Sequence, residues 1–74
     1  MKRMEYNEKF AKELRKLLAE RDIKQKDLAE AIGVAAPTVN RYVAGFRTPS
    51  RHRACKIAEF LGLPLDYFFN LKED

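Results

Sequence analysis

Residues 24–42 most constrain the fold, because they contain two short amphipathic runs separated by a glycine that stands shortly before a proline. Apolar residues recur at helical spacing in both runs, which predicts helices over about residues 25–32 and from Ala36 or Pro37 to before Gly45. These apolar residues are Leu28, Ala29 and Ile32, and then Val39, Tyr42 and Val43. Gly33 can adopt positive φ without steric cost and end the first helix of the pair in a left-handed cap. About three residues then join the two helices, which is the spacing of a helix-turn-helix.

Periodicity on either side of this pair predicts further helices, so we expect an all-α, compact bundle of five short helices. Asn7 is a favourable N-cap, and the apolar spacing after it predicts a first helix to about residue 21. Ser50 is the expected N-cap of a fourth helix over about residues 51–61. Residues 65–69 are expected to form a short fifth helix.

The length of 74 residues predicts one domain over residues 1–74, with a core over about residues 7–71. A chain this short buries about 60% of its unfolded surface, which leaves no room for a large enclosed active site. It has neither an apolar run of about 18 residues nor a signal-peptide pattern, so we expect a cytoplasmic protein that does not bind a membrane. Cys55 is the single cysteine; it cannot form an internal disulfide and is expected to be a small core residue.

The net charge of +4 is less informative than its distribution. Residues 1–30 contain nine Lys/Arg and seven Asp/Glu, residues 31–58 contain five Lys/Arg and no acid, and residues 59–74 contain one base and four acids. The acid-free stretch is 28 residues long and begins just before the second helix of the pair. Such a stretch is typical of a surface that meets phosphates, and an unevenly charged solvated face is the alternative interpretation.

Two predicted helices begin with basic side chains, where the helix dipole makes positive charge unfavourable. Lys24 and Lys26 flank Gln25 at the start of the second helix, and Arg51 opens the fourth. A phosphate bound at these ends would turn this electrostatic cost into affinity.

One set of residues recurs at the spacing of a known family. It comprises Gln25, Leu28, Ala29, Gly33, Val39, Gly45, Pro49, Ile57, Ala58, Leu61, Gly62 and the segment LPLDYFF. This pattern resembles the DNA-binding domain of the phage repressor and Cro family, the XRE-type helix-turn-helix, over about residues 10–71. The resemblance implies a lambda-repressor-like fold and a sequence-specific, double-stranded DNA-binding transcriptional regulator, a repressor that is cytoplasmic and nucleoid-associated.

The resemblance also implies roles for individual residues. Helix three would be the recognition helix and would enter the major groove. Its base-reading positions would be Ala36, Pro37, Asn40 and Arg41. The resemblance implies phosphate contacts at Gln25, Arg47, Ser50 and Arg51. Lys24, Lys26 and Thr38 are expected to contact phosphate as well.

Three features depart from the family pattern. Ala36 and Pro37 stand where many relatives have polar base readers. The residues that could read bases through hydrogen bonds are therefore reduced to Arg41 and its neighbours. The two apolar residues can instead contact thymine methyl groups. An Arg late in helix one and a Glu late in helix three are replaced by Leu18 and Val43, and we expect an apolar contact in place of the ion pair. Helix four begins with RHR, where relatives commonly have apolar and acidic residues, and this favours phosphate contacts there.

Apolar side chains concentrate in the C-terminal segment, and two interpretations remain open. Either all of them are buried within one monomer, or those left outside form a two-fold interface, so that two recognition helices read a palindromic operator. The candidates for this homodimer interface are Leu65, Tyr67, Phe69 and Leu71.

Neither catalysis nor metal binding is predicted. His52 and Cys55 cannot supply the roughly four ligands of a zinc site, and there is no nucleophile–base pair or Gly-rich phosphate loop, so we expect no enzyme activity, no metal and no cofactor. The second hypothesis is an antitoxin or adaptor that uses the same fold mainly to bind a partner protein. It is favoured by Ala36 and Pro37, which leave the recognition helix poor in hydrogen-bonding groups.

Overall fold

The computed structural model describes the backbone of residues 2–70 and the side chains of residues 8–69. Within this part the chain forms four α-helices, a C-terminal 3-10 helix and no strand, so the predicted all-α class is confirmed. The elements are α1 (Lys2–Glu20), α2 (Gln25–Ile32), α3 (Ala36–Ala44), α4 (Arg51–Phe60) and the 3-10 helix (Tyr67–Asn70). None of the described helices combines the length and apolar character needed to cross a membrane.

The start of α1 differs from the prediction. Asn7 was expected to cap the helix, but α1 begins at Lys2, so Asn7 lies inside it and the predicted cap is wrong. The preceding residues contain no Gly or Pro, and Lys, Arg, Met and Glu are good helix formers, so the backbone continues in helical geometry before Asn7. A residue that favours caps has that role only where a helix begins.

The predicted fifth α-helix is also wrong, because residues 67–70 form a 3-10 turn. The amide of Tyr67 bonds to the carbonyl oxygen of Pro64 at 2.9 Å and that of Phe69 to Asp66 at 3.0 Å. These bonds span three residues, as in a 3-10 helix, which is usually this short. Of the five short helices expected, four are therefore α-helices and the last is a 3-10 helix.

Phe10 lies at the centre of the core and joins three elements. Its ring meets Phe68 at a centroid distance of 5.0 Å and Tyr42 at 6.3 Å, both in edge-to-face geometry. All three side chains are at most 1% exposed. Phe10 therefore ties α1 to α3 and to the 3-10 helix. Ile23 packs against this core, whereas Cys55 is half-buried and does not belong to the buried core, contrary to the prediction.

A polar contact also fixes the C-terminal turn to α1. The hydroxyl of Tyr67 donates a hydrogen bond to Oε2 of Glu13, across 54 residues of sequence. The pKa of Tyr67 is raised above its usual value, first because the Glu13 carboxylate accepts this proton and then through burial and the negative charge of Glu13. Deprotonation of Tyr67 would place two negative charges side by side.

This contact predicts a pH-dependent stability. Because the pKa of Tyr67 is raised in the folded state, the hydrogen bond contributes fully to the free energy of unfolding below the unfolded-state pKa of about 10. This contribution is lost as pH rises through the folded-state pKa. Tyr67→Phe should lower the free energy of unfolding by about 0.5–1.5 kcal/mol at pH 7, and the difference from wild type should shrink above about pH 10. Urea unfolding between pH 7 and 11 measures both quantities. A difference that stays constant across this range would contradict the assignment.

Candidate nucleic-acid interface

The turn between α2 and α3 has the geometry that its glycine predicts. Gly33 adopts φ 76° and ψ 35°, the left-handed conformation. The next amide, of Val34, bonds to the carbonyl oxygen of Ala29 at 3.0 Å and closes the end of α2. Ala35 is extended and serves as the N-cap of α3, and Pro37 lies in the first turn, where its missing amide costs nothing.

Helix α3 divides cleanly into a buried and an exposed face. Val39, Tyr42 and Val43 are at most 6% exposed and pack into the core, as predicted. The outward residues are all exposed, and they are Ala36, Pro37, Asn40, Arg41 and Ala44. The four predicted base-reading residues therefore share one accessible face, and Thr38 is half-buried beside them.

The start of α2 and the middle of α3 are joined by a side-chain contact that the sequence did not reveal. Nδ2 of Asn40 donates to Oε1 of Gln25 at 3.4 Å, between two exposed side chains. Gln25 opens α2, whereas Asn40 lies on the outward face of α3. A residue predicted to contact phosphate is thus linked to one predicted to read bases. The two are 15 residues apart in sequence, and no local spacing signals such a pair.

Basic side chains lie at the starts of both flanking helices. Lys24 is the N-cap of α2, has extended backbone geometry and makes no side-chain capping bond. With Gln25 and Lys26 it leaves three exposed polar side chains at the positive end of that helix dipole. Asp27 is an acid in this first turn, so Lys24, Lys26 and Asp27 together contribute a net charge of +1 and the start of α2 favours an anion.

The start of α4 has the same character. Its N-cap is Ser50, as predicted, and the Ser50 hydroxyl accepts a hydrogen bond from the amide of Arg53 at 3.3 Å. Arg51 is exposed at the first position of the helix, and Arg47 is exposed in the loop before it. No acidic residue lies in this first turn, so the positive end of the dipole meets only positive or neutral side chains there.

The loop after α3 also exposes an apolar residue to which no role was assigned. Gly45 ends α3 with φ 86°, and the amide of Phe46 bonds to the Arg41 carbonyl oxygen at 3.0 Å. The Phe46 side chain is 81% exposed. Its apolar type gave no signal of exposure in the sequence, because the helical period ends at the preceding glycine.

The C-terminal candidates for a dimer interface have different environments. Leu65 is 56% exposed and Phe69 is 37% exposed. Tyr67 is half-buried and bonded to Glu13, and Leu71 lies outside the described residues. Phe68, which was not among the candidates, is the fully buried member of this segment. Among the described residues there is no group of three or more His, Cys, Asp and Glu side chains that could hold a metal ion.

Helix α3 is held against α1 by apolar packing and by one charged side chain. Leu18 and Val43 are both 6% exposed and belong to the same apolar cluster, as predicted for the replacement of an ion pair. Arg15, one turn before Leu18, donates from its guanidinium to the carbonyl oxygen of Val43 near the end of α3. A cation is favourable at this negative end of the helix dipole.

Comparison with known proteins places this geometry in a family. Residues 12–68 match the sequence profile of the family described as helix-turn-helix, HTH_3. The chain is 36% identical over 56 residues to the cryptic phage CTXphi transcriptional repressor RstR of Vibrio cholerae. This alignment covers 76% of the chain and 50% of that repressor, so the chain spans about half of the length of the relative.

A solved structure has the same fold. It is an HTH_3 family transcriptional regulator from Vibrio cholerae, which superposes with a TM-score of 0.79 at 22% identity. The match covers 90% of this chain and 38% of that one, and at this identity the likeness concerns the fold alone. The predicted resemblance to the XRE-type helix-turn-helix is confirmed.

The Arg15 contact predicts a measurable contribution to the placement of α3. Arg15→Met should lower the free energy of unfolding by about 1–2 kcal/mol, because a hydrogen bond from a charged group to a carbonyl oxygen is lost. The loss is not larger because Arg15 is partly solvated. Lys16→Met is the matched control: this side chain is 59% exposed and pairs with Glu13 only at 4.0 Å, so the change should stay within about 0.5 kcal/mol. Equal losses in the two variants, measured by urea unfolding, would contradict the role of Arg15.

Proposed function

The chain belongs to the HTH_3 helix-turn-helix family, and from this premise we propose that it is a sequence-specific, double-stranded DNA-binding transcriptional regulator that acts as a repressor. The observation that carries the proposal is the exposed face of α3, which lies between two helices with basic starts. The protein would act without catalysis, in the cytoplasm and on the nucleoid. It would block polymerase sterically or act by contact with it.

Base reading would be divided between polar and apolar side chains of α3. Arg41 would bond O6 and N7 of a guanine in bidentate fashion. Asn40 would reach a neighbouring base or hold Gln25 in place through the bond between them. Ala36 and Pro37 are exposed at the N-terminal end of α3, which is the end that a recognition helix directs at the bases. They would contact thymine methyl groups.

Phosphate contacts would supply most of the affinity and fix the protein on the duplex. The exposed basic and polar side chains at the starts of α2 and α4 support this role, because an anion removes the repulsion at those helix ends. The proposed contacts are Lys24, Gln25, Lys26, Thr38, Arg47, Ser50 and Arg51. All of them except Thr38, which lies within α3, flank that helix on both sides in sequence.

A homodimer on a palindromic operator would bring two copies of α3 into successive major grooves. The exposure of Leu65 and Phe69 supports a two-fold contact through the C-terminal segment, with Tyr67 and Leu71 as the other proposed members. Phe68 is the residue of this segment that is fully buried in the core, whereas the side chains of Leu65 and Phe69 remain exposed and available for such a contact.

A second candidate function is binding of a partner protein, as by an antitoxin or adaptor. It is favoured by the exposed Ala36 and Pro37, which offer apolar contacts and no side-chain hydrogen bonds. Stoichiometric capture of one protein, together with weak and sequence-blind DNA binding, would select this function over the first.

Selection from a random-sequence duplex pool, followed by mobility shift, tests base reading. Wild-type protein should recover a short palindromic site. Arg41→Ala should weaken binding to that site by about 5- to 150-fold for each bound subunit, the equivalent of 1–3 kcal/mol per bidentate pair, and leave binding to random DNA nearly unchanged. Arg51→Ala is the comparison variant and should weaken both to a similar degree. If Arg41→Ala keeps the sequence preference and Arg51→Ala loses it, α3 is not the recognition helix.

Salt dependence tests the phosphate contacts separately. For each of Arg47→Gln and Arg51→Gln, the slope of log K against log salt should fall in magnitude by about 0.9 per bound subunit. Lys16→Gln removes the same charge beside Glu13 on α1 and should leave the slope unchanged. A nearly flat salt dependence in the wild-type protein would contradict an electrostatic interface.

A further inference from the structure

The start of α4 meets the C-terminal 3-10 helix through a cation and an aromatic ring. The guanidinium carbon of Arg51 lies 5.0 Å from the centroid of the Phe69 ring. A guanidinium at this distance is attracted by the negative face of the ring. Phe69 is 37% exposed and Arg51 is exposed, so the pair lies at the surface and is reachable by a ligand.

The Phe69 ring stands on a fixed backbone. The preceding residue, Phe68, is fully buried, and its ring packs against Phe10 at 5.0 Å and against Tyr67 at 5.2 Å. The hydroxyl of Tyr67 is bonded to Glu13 on α1. The amide of Phe69 bonds to Asp66 at 3.0 Å. The core therefore holds the backbone of Phe69, and its ring in turn limits where the long Arg51 side chain can go.

We propose that Phe69 is a positioning residue for DNA binding: its ring holds the Arg51 guanidinium at the start of α4, oriented to bind a backbone phosphate. This inference rests on the proposed function. A guanidinium has five N–H donors, all in its plane. A guanidinium that packs its face against the Phe69 ring keeps the edge of its plane free for phosphate oxygens.

The benefit of this arrangement is preorganisation. A free Arg side chain loses rotamer freedom when it binds, and this loss reduces affinity. Arg51 also lies in the first turn of α4, which contains no acid. No carboxylate in that turn therefore competes for the N–H donors of its guanidinium. Contact with Phe69 limits the side chain before DNA arrives and neutralises none of its charge.

The inference can be separated from dimer formation by measuring binding of a duplex with one half of the selected operator. Phe69→Leu keeps apolar bulk and removes the ring, and should weaken binding about two- to fivefold. Phe69→Tyr keeps the ring and should bind like wild type. Phe60→Leu is the matched control, because it removes an exposed ring (43%) from the opposite end of α4, and it should leave half-site binding unchanged.

A double-mutant cycle with Arg51→Gln identifies the route of the effect. Phe69→Leu should have almost no effect in the Arg51→Gln background. If it weakens binding equally in both backgrounds, the ring acts elsewhere and the inference is overturned, although the proposed function stands. If Arg51→Gln changes neither affinity nor salt slope, the phosphate contact of Arg51 fails and the inference fails with it. Absence of DNA binding in the wild-type protein would overturn both.

A measurement on the wild-type protein makes the inference independent of how well the variants fold. The δ protons of Arg51 should show upfield ring-current shifts and nuclear Overhauser effects to the Phe69 ring, both in the free protein and on the half-site duplex. Persistence of both signals on DNA supports the positioning role. Their loss on DNA would mean that Arg51 leaves the ring to reach phosphate, and would overturn it.

Discussion

Burial of one face of α3 is the interaction on which the rest of the structure depends. A nine-residue helix is too short to be stable alone in water, so α3 exists because Val39, Tyr42 and Val43 are packed into the core. Tyr42 meets Phe10 from α1, and Phe10 also meets Phe68 from the C-terminal turn. The outward face is therefore oriented by the inward one. A change in the core that moves α3 would also move Asn40 and Arg41.

Charge is separated from this packing almost completely. Among the described residues no charged side chain is buried, so the apolar core supplies stability while charged groups remain at the surface. Basic helix starts on α2 and α4 are unfavourable for the isolated helices by some tenths of a kcal/mol each. Such a cost is small beside the burial of a side chain like Tyr42. The fold can therefore keep repulsive helix ends that an anion would relieve.

The helix-turn-helix itself could be predicted closely from sequence, because each of its features is local. Gly33 and Gly45 mark left-handed caps, Pro37 marks a first turn, and a period of 3.6 residues separates the two faces of α3. The predicted resemblance to a known family pointed to the same elements. Both ends of the chain were predicted less well. The helical preferences before Asn7 outweighed its tendency to cap, and residues 67–70 were too few to distinguish a 3-10 turn from an α-helix by their period.

Contacts between distant residues could not be predicted, and several of them shape the candidate interface. The pairs Gln25–Asn40, Arg15–Val43 and Glu13–Tyr67 are separated by 15, 28 and 54 residues. Most of these side chains are of types that are usually solvated, and Val43 contributes only its backbone carbonyl oxygen, so type and spacing gave no signal. Such pairs arise only once the helices have docked. Prediction could therefore identify which residues face outward, but not which of them hold one another in place.

The small number of polar base readers bears on how the proposed regulator would reach its specificity. A good bidentate pair discriminates by about 1–3 kcal/mol, whereas specific binding typically exceeds non-specific binding by about 4–10 kcal/mol. One copy of α3, with Arg41 as its main hydrogen-bonding reader, falls short of that difference. Two copies on a palindrome double the base-contact energy to about 2–6 kcal/mol, which reaches into that range, whereas phosphate contacts contribute alike to specific and non-specific binding. The apolar residues Ala36 and Pro37 thus strengthen the case for two subunits, and with it for a contact through the exposed C-terminal segment.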